Sequence, residues 1–153
     1  MDRLDPMNAQ ILLRIYELRR EKKLRRARAW LLGSFWAESL EEFGRVCPPG
    51  SPENAYYRMV TSFWDMVASI VNRGLLDDDL YFENNPEGLL VWIRVKNVTL
   101  EMRNARKNPL LLRNLESLSL KHEQWYETHA PGALAETRKR FEAMRQKPEP
   151  LER

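Results

Sequence analysis

The sequence predicts an all-α protein: a single-domain helical bundle of about five main helices with a long, basic first helix. One observation is the position of five prolines, each ahead of a stretch with helical spacing: Asp5-Pro6, Ser51-Pro52, Asn85-Pro86, Asn108-Pro109 and Ala130-Pro131. Because the residue before a proline disfavours the helical conformation, each pair predicts a helix start. A second observation is that apolar residues recur every three or four positions between these pairs.

The stretch 51–79 contains the helix that the sequence specifies best. Ser51 is a good N-cap, and Pro52 occupies the first helical position, where a missing N–H costs nothing. Gly74 stands where a left-handed C-terminal cap is expected. The apolar residues of this helix fall on one face, so we expect it to be the central helix, with Trp64 in the core: Tyr56, Val60, Phe63, Trp64, Val67, Ile70 and Val71.

The first predicted helix runs from Pro6 to about Leu32, and its apolar face changes sides midway. Ile11, Ile15 and Leu18 share one side, whereas Leu24, Ala27 and Leu31 lie about 180° away at helical pitch. The intervening segment 19–23 has no apolar residue. The pattern predicts either a helix that bends there, or one long helix that uses opposite faces and leaves part of its N-terminal half available to a partner.

The rest of the chain predicts shorter and less regular elements. A short helix is expected at about 35–45, and one aspartate of Asp77-Asp78-Asp79 is expected to cap another. The stretch 87–107 predicts a helix, although Val91, Ile93 and Val95 alternate as in a strand. Helical spacing continues through 110–128 and 132–146. We therefore expect one helical domain over 1–146 and a disordered tail over 147–153.

Composition limits the class of protein. The chain has 153 residues, of which 43% are hydrophobic, and this is enough for one globular core. The only cysteine, Cys47, excludes an internal disulfide and a cysteine-rich zinc site. The N-terminal segment lacks an apolar signal core, and no apolar run approaches the roughly 20 residues of a membrane span. The prediction is a cytoplasmic protein without a transmembrane segment.

Several residues together resemble a family of small bacterial helical domains of unknown function, some of whose relatives are anchored to the membrane. The first is the segment Arg28-Ala29-Trp30-Leu31, which closes the first predicted helix. The pair Trp64-Asp65 in the central helix and the turn 71–77 that follows it are the next, and the turn is the most specific. Trp92 with Arg103 completes the pattern. The resemblance covers about 10–106 and implies a helical fold, but no activity.

Motifs for catalysis or cofactor binding are not found. The six glycines are isolated, so neither a P-loop nor a dinucleotide-binding fingerprint is present. His122 and His129 are seven positions apart, which separates them by about 10 Å of helix rise, too far for one zinc ion. A Cys47–His dyad would need a contact that the sequence does not reveal. We therefore predict no enzyme activity, no catalytic residue, no metal ligand and no cofactor.

The distribution of charge is the main functional clue. Residues 14–28 carry eight basic and two acidic side chains, a net charge of +6, whereas the rest of the chain carries −3 of the total of +3. The basic residues proposed to face a partner are the following: Arg19, Arg20, Lys22, Lys23, Arg25 and Arg26. They form either a solvated helix face paired with acidic residues of the same protein, or a surface that attracts phosphates, anionic lipids or an acidic protein.

These observations favour a non-enzymatic protein-interaction or scaffold module. Ile11, Ile15 and Leu18 would form an apolar patch for a protein partner or a second copy of the chain, and the basic residues would orient an acidic partner. The alternative is a nucleic-acid-binding or regulatory protein that uses the basic residues on phosphates. An anionic membrane surface is a third and weaker hypothesis.

Overall fold

The computed structural model describes residues 3–146, which form helices separated by short connections. In chain order the helices are α1 (Met7–Arg19), α2 (Lys22–Ser34), α3 (Leu40–Val46), α4 (Pro52–Asn72), α5 (Asp78–Asn84), α6 (Glu87–Arg106), α7 (Arg113–His129) and α8 (Ala133–Gln146). The described residues contain no strand, so the all-α prediction is confirmed. The prediction of a disordered tail lies outside these residues.

The predicted number of about five main helices was wrong, since residues 3–146 contain eight. Four of the five prolines precede a helix and Pro52 is the first residue of α4, but α3 and α5 begin at the side-chain caps of Ser39 and Asp77 instead. The capping role predicted for the Asp77–Asp79 segment is confirmed, since the Asp77 carboxylate accepts the Leu80 N–H at 2.9 Å. A count of the helix starts that contain proline therefore underestimates the number of helices.

The predicted long, basic first helix was also wrong. The chain leaves the helical conformation at Glu21, which has φ −55° and ψ 137° and caps α2 by accepting the Leu24 N–H at 2.8 Å. The break allows Ile15 on α1 and Leu24 on α2 to reach the core, although they would lie on opposite sides of a continuous helix. Most of the basic residues belong to α2, not to the first helix.

The core is built around α4. This helix packs against α2 on one side and α7 on another, with α5 and α6 also in contact. Trp64 lies in the middle of α4 and is fully buried, as expected. Gly74 has φ 75°, and the Leu75 N–H donates to the Ile70 carbonyl at 3.2 Å, so the helix ends in the predicted left-handed cap.

The stretch that could have been a strand is the helix α6. Its buried residues are distributed around the helix because it packs against α2, α3, α4 and α7. A helix that is covered on several sides loses the one-sided pattern of a surface helix, which explains the apparent alternation of Val91, Ile93 and Val95. None of the helices in residues 3–146 is both long and apolar enough to cross a membrane.

Candidate functional site

The predicted apolar patch forms one wall of a groove between α1 and α4. Ile11, Ile15 and Leu18 line it from α1, and Met66, Val67 and Ile70 line it from α4. The groove has a volume of about 460 Å³. Met7, Gln10 and Arg14 complete the α1 side, so one face of α1 lines the groove from its first residue to Leu18. We call this feature the α1–α4 groove.

The three predicted residues contribute unequally to the accessible surface of the groove. Ile15 is 3% exposed and belongs to the core, so it anchors α1 to the domain. Ile11 is half-buried, and Leu18 is 38% exposed. The apolar surface that remains open comes largely from Leu18 together with Met7 and Met66, both of which are 50% or more exposed.

Met7 and Met66 were not predicted as part of this surface. Met66 directly precedes Val67, a core residue of α4, so it lies about 100° from that position and outside the buried stripe. Large apolar residues outside a buried stripe are a signal for an exposed patch, but single ones are common on protein surfaces. Only the position of α1 beside α4 shows that these two methionines share a groove.

The predicted basic residues lie where α1 ends and α2 begins. Arg20, Lys22, Lys23, Arg25 and Arg26 are exposed, whereas Arg19 is half-buried. None of the six forms an ion pair with a residue in the range 3–146. We call these six residues the basic cluster.

The two acidic residues of this stretch have other roles. Glu17 pairs with Arg14 at 3.1 Å, and Glu21 caps α2. Hydrogen bonds from the Leu24 and Lys23 N–H groups lower the pKa of Glu21, so its carboxylate is ionised at neutral pH. The guanidinium groups of Arg19 and Arg20 lie 5.7 and 5.4 Å from the centre of the Tyr16 ring. The aromatic contacts leave the positive charge of the cluster uncompensated.

A partly buried ion pair lies next to the basic cluster. The Arg28 guanidinium donates to both Glu87 carboxylate oxygens at 2.6 Å, and the Trp64 indole N–H donates to the same carboxylate at 3.2 Å. Arg28 also donates to the Arg19 carbonyl at 2.8 Å, so this contact holds the end of α1. Arg28 and Trp64 belong to the pattern on which the family resemblance rests, whereas Glu87 was not singled out. The sequence signal that could have identified Glu87 is its position as an acidic residue in the first turn of a largely apolar helix.

The other residues of the family pattern also hold helices together. Asp65 accepts the Leu115 N–H at 2.9 Å, and therefore connects α4 to the start of α7. Arg103 donates to the Leu111 carbonyl at 2.9 Å and to Glu116 at 3.1 Å. These contacts give the family pattern a structural role, because Asp65 joins α4 to α7 and Arg103 joins the end of α6 to the connection and helix that follow it.

His122 is buried among aromatic residues. Its ring stacks between Phe82 and Tyr126, with centroid distances of 4.4 and 5.0 Å, and its Nε2 atom has no hydrogen-bond partner among the described residues. Burial lowers the pKa of His122 to about 4, although a hydrogen bond with the Phe82 backbone acts in the opposite direction. The imidazole is therefore neutral at physiological pH and packs as an aromatic side chain.

Cys47 is buried at the C-terminal end of α3, and its N–H donates to the Phe43 carbonyl at 2.7 Å. Burial raises the pKa of the Cys47 thiol to about 11, and the Glu53 carboxylate adds to this effect. A thiol with this pKa is a poor nucleophile at neutral pH. Within residues 3–146, no three histidine, cysteine, aspartate or glutamate residues come together in a way that could hold a metal ion.

Comparison with known proteins identifies a family. The family described as "Domain of unknown function (DUF4760)" matches residues 6–122, which is more than half of the chain and extends from the start of α1 into α7. Comparisons with curated proteins and with solved structures find no significant match. This match confirms the resemblance to a helical domain of unknown function. The chain belongs to the DUF4760 family.

Proposed function

We propose that this chain is a non-enzymatic interaction module that binds an acidic amphipathic helix of a partner protein. The observation that carries the proposal is that an open apolar groove, formed by α1 and α4, ends beside six basic side chains without ion pairs in residues 3–146. Helix-binding domains hold the apolar face of an amphipathic helix in an apolar groove, and charged residues beside the groove add selectivity for the opposite charge.

The dimensions of the groove suit a helix of about three turns. Met7 and Leu18 lie at its two ends, and eleven residues of α1 span roughly 16 Å. A partner helix that runs along α1 would place apolar residues at every third or fourth position against Ile11, Leu18 and Met66. Acidic residues at one end of that helix would meet the basic cluster.

Charge indicates which kind of partner fits the groove. Arg14 is the only charged residue that lines it, and Leu18 at one end is followed directly by Arg19 and Arg20. An acidic partner gains attraction from these residues, mainly as faster association and greater selectivity.

A designed peptide tests the proposal directly. The probe is a fluorescent helical peptide of about 16 residues, with leucines on one face and glutamates on the flanks, and the control is a scrambled peptide of the same composition. We expect fluorescence anisotropy to detect binding of the amphipathic peptide only. Met7→Glu together with Leu18→Glu should weaken binding by about tenfold or more, because both side chains line the groove.

Matched variants separate the contribution of the α1–α4 groove from that of the basic cluster. Leu13→Glu changes another exposed leucine of α1 that does not line the groove, so it should change the affinity by less than about twofold. Charge reversal of Arg20, Lys22 and Lys23 should slow association, whereas the same reversal of the exposed Lys96, Arg113 and Lys121 should have a smaller effect. Equal binding by the Met7/Leu18 and Leu13 variants would contradict the proposal.

Nucleic-acid binding is the second candidate, and the unpaired state of the basic cluster is the observation that favours it. The same variants would be titrated with random-sequence duplex DNA at low and physiological salt. Binding that falls steeply with salt and requires the basic cluster, while the groove variants bind normally, would favour phosphate contact over helix docking. The peptide and DNA experiments therefore give opposite results for the groove variants under the two hypotheses.

A further inference from the structure

A second concave surface lies between α4, the C-terminal part of α6 and the connection 107–112 between α6 and α7. Its volume is about 670 Å³, larger than that of the α1–α4 groove. Most of its apolar wall consists of flexible aliphatic side chains: Met66, Met102, Leu110, Leu111 and Leu112. This volume is within the range of small-molecule sites, and methionine and leucine walls adapt to an irregular apolar ligand. We call this feature the α4–α6 cleft.

The charged side chains of the α4–α6 cleft carry a net positive charge. Arg58 and Arg106 are the two cations, and Asp65 is the anion. The Asp65 carboxylate is already engaged by the Leu115 N–H at 2.9 Å. Arg58 donates to the Asn54 side chain at 3.0 Å, and neither arginine forms an ion pair with a residue in the range 3–146. The excess of one positive charge is complementary to a single negative group.

Tyr57 lines the cleft from α4, but its hydroxyl lies beneath the wall. Tyr57 is 5% exposed, its hydroxyl oxygen has almost no accessible surface, and the neighbouring Thr99 hydroxyl donates to the Val95 carbonyl at 2.7 Å. Burial raises the pKa of Tyr57 to about 12, so this side chain adds no charge to the cleft.

The connection beside the cleft holds two residues in an unfavourable conformation. Lys107 and Leu112 have φ values of 50° and 53°, in the left-handed region that residues other than glycine seldom adopt. Lys107 forms the left-handed C-terminal cap of α6, where the Asn108 N–H donates to the Arg103 carbonyl at 3.0 Å, whereas Leu112 directly precedes α7 and lines the cleft. The Leu111 carbonyl is held by Arg103 at 2.9 Å, so the connection forms a fixed edge of the cleft.

From these features we infer that the α4–α6 cleft binds a medium-chain monocarboxylate. The carboxylate lies between Arg58 and Arg106, since guanidinium groups bind carboxylates in paired hydrogen bonds. The alkyl chain packs against Met102 and Leu110. The two surfaces share Met66, but this inference does not rest on the α1–α4 groove, since it concerns other charged residues and a different ligand class.

Isothermal titration calorimetry of the full chain with decanoate tests the inference. We expect a Kd of about 0.1 mM or lower, and binding at least about tenfold weaker for decyltrimethylammonium, which has the same chain but a positive charge. Arg58→Gln combined with Arg106→Gln should weaken decanoate binding by about tenfold. Lys121→Gln, which removes an exposed charge outside the cleft, should leave the affinity within about twofold.

A second variant tests the position of the alkyl chain. Ser62 is exposed on α4 and lines the cleft, so Ser62→Trp should fill the space without disturbing the core and should abolish binding. Circular dichroism checks that each variant is folded. Absence of decanoate binding at about 1 mM would overturn the inference, as would unchanged binding by both the Arg58/Arg106 variant and the Ser62 variant. Loss of peptide binding in the α1–α4 groove variants would not affect this result.

Discussion

The contact between Gly88 and its neighbours shows how a single residue controls packing in this protein. Gly88 is buried in the first turn of α6, beside Trp64 and Tyr81. A β-carbon at this position would lie 2.5 Å from the Tyr81 hydroxyl oxygen and 3.2 Å from a ring carbon of Trp64. Because neither ring can move freely in a packed core, the position accepts only glycine without rearrangement.

Gly88→Ala should therefore lower the free energy of unfolding by about 1–3 kcal/mol, the usual range for overpacking. Urea denaturation followed by circular dichroism measures the change. Tyr81→Phe removes the oxygen that the new methyl group would meet. The Gly88→Ala/Tyr81→Phe double variant should therefore regain part of the stability that Gly88→Ala loses. The single Tyr81→Phe variant is measured alongside as the reference.

Gly33→Ala provides the matched control. Gly33 is also helical, but a β-carbon there would meet nothing within 4 Å. The substitution should leave stability unchanged or raise it by up to about 1 kcal/mol, because alanine is the better helix former. Similar losses for Gly33→Ala and Gly88→Ala would show that the close contact with Tyr81 is not the cause.

The ends of the helices differ in where their caps come from. In α3, α4 and α5 the residue before the helix supplies the cap, and Ser51, for example, accepts the Asn54 N–H at 3.1 Å. In α7 the preceding residue is Leu112, which has no capping group. Asp65 on α4 supplies the missing cap by accepting the Leu115 N–H. The carboxylate also meets the positive end of the α7 dipole.

Asp65→Ala should lower the free energy of unfolding by about 1–2 kcal/mol, since an N–H group at the helix start loses its acceptor. Asp65→Asn keeps an acceptor oxygen and should lower the free energy of unfolding by a smaller amount. Hydrogen exchange at the Leu115 amide checks the mechanism, because its protection should fall more than that of amides near the other end of α7. A uniform fall along α7 in Asp65→Ala would contradict a local capping role.

At the scale of the whole molecule, burial of titratable groups sets the pH range of stability. His122 has its pKa lowered from 6.5 to about 4, so the unfolded chain binds more protons than the folded chain between these values. Stability should therefore fall as the pH decreases from about 6.5 towards 4. Cys47 has its pKa raised from 9.0 to about 11, and its contribution is lost as the pH rises through that interval.

A substitution tests whether His122 causes the loss of stability at acid pH. His122→Phe preserves an aromatic ring between Phe82 and Tyr126 but removes the titrating group. Between pH 7 and pH 5, the free energy of unfolding of the natural protein should fall by about 2 kcal/mol more than that of the variant. His129→Gln is the control, because this histidine is exposed. Parallel stability–pH curves for the natural protein and His122→Phe would contradict the assignment.

The sequence was sufficient to predict the features that depend on neighbouring residues. The ends of α4 follow from Ser51, Pro52 and Gly74, because capping and backbone preferences act within a few residues. The apolar stripe of α4 likewise predicted a buried Trp64. The same local pattern showed that the face of the first segment changes sides near 19–23, but it allowed both a bend and a continuous helix. The choice of Glu21 as the cap of α2 depends on packing, since only the break lets both halves face the core.

Contacts between distant residues were decided by the tertiary structure. Glu87 binds Arg28 across 59 positions, and Leu115 meets Asp65 across 50. Sequence spacing carries no information on which of many arginines and carboxylates will meet. The two concave surfaces have the same origin, since each is lined by helices that are separate in the sequence. The helices are specified by local rules, whereas the candidate binding surfaces exist only because packing excludes some apolar and charged side chains from the core.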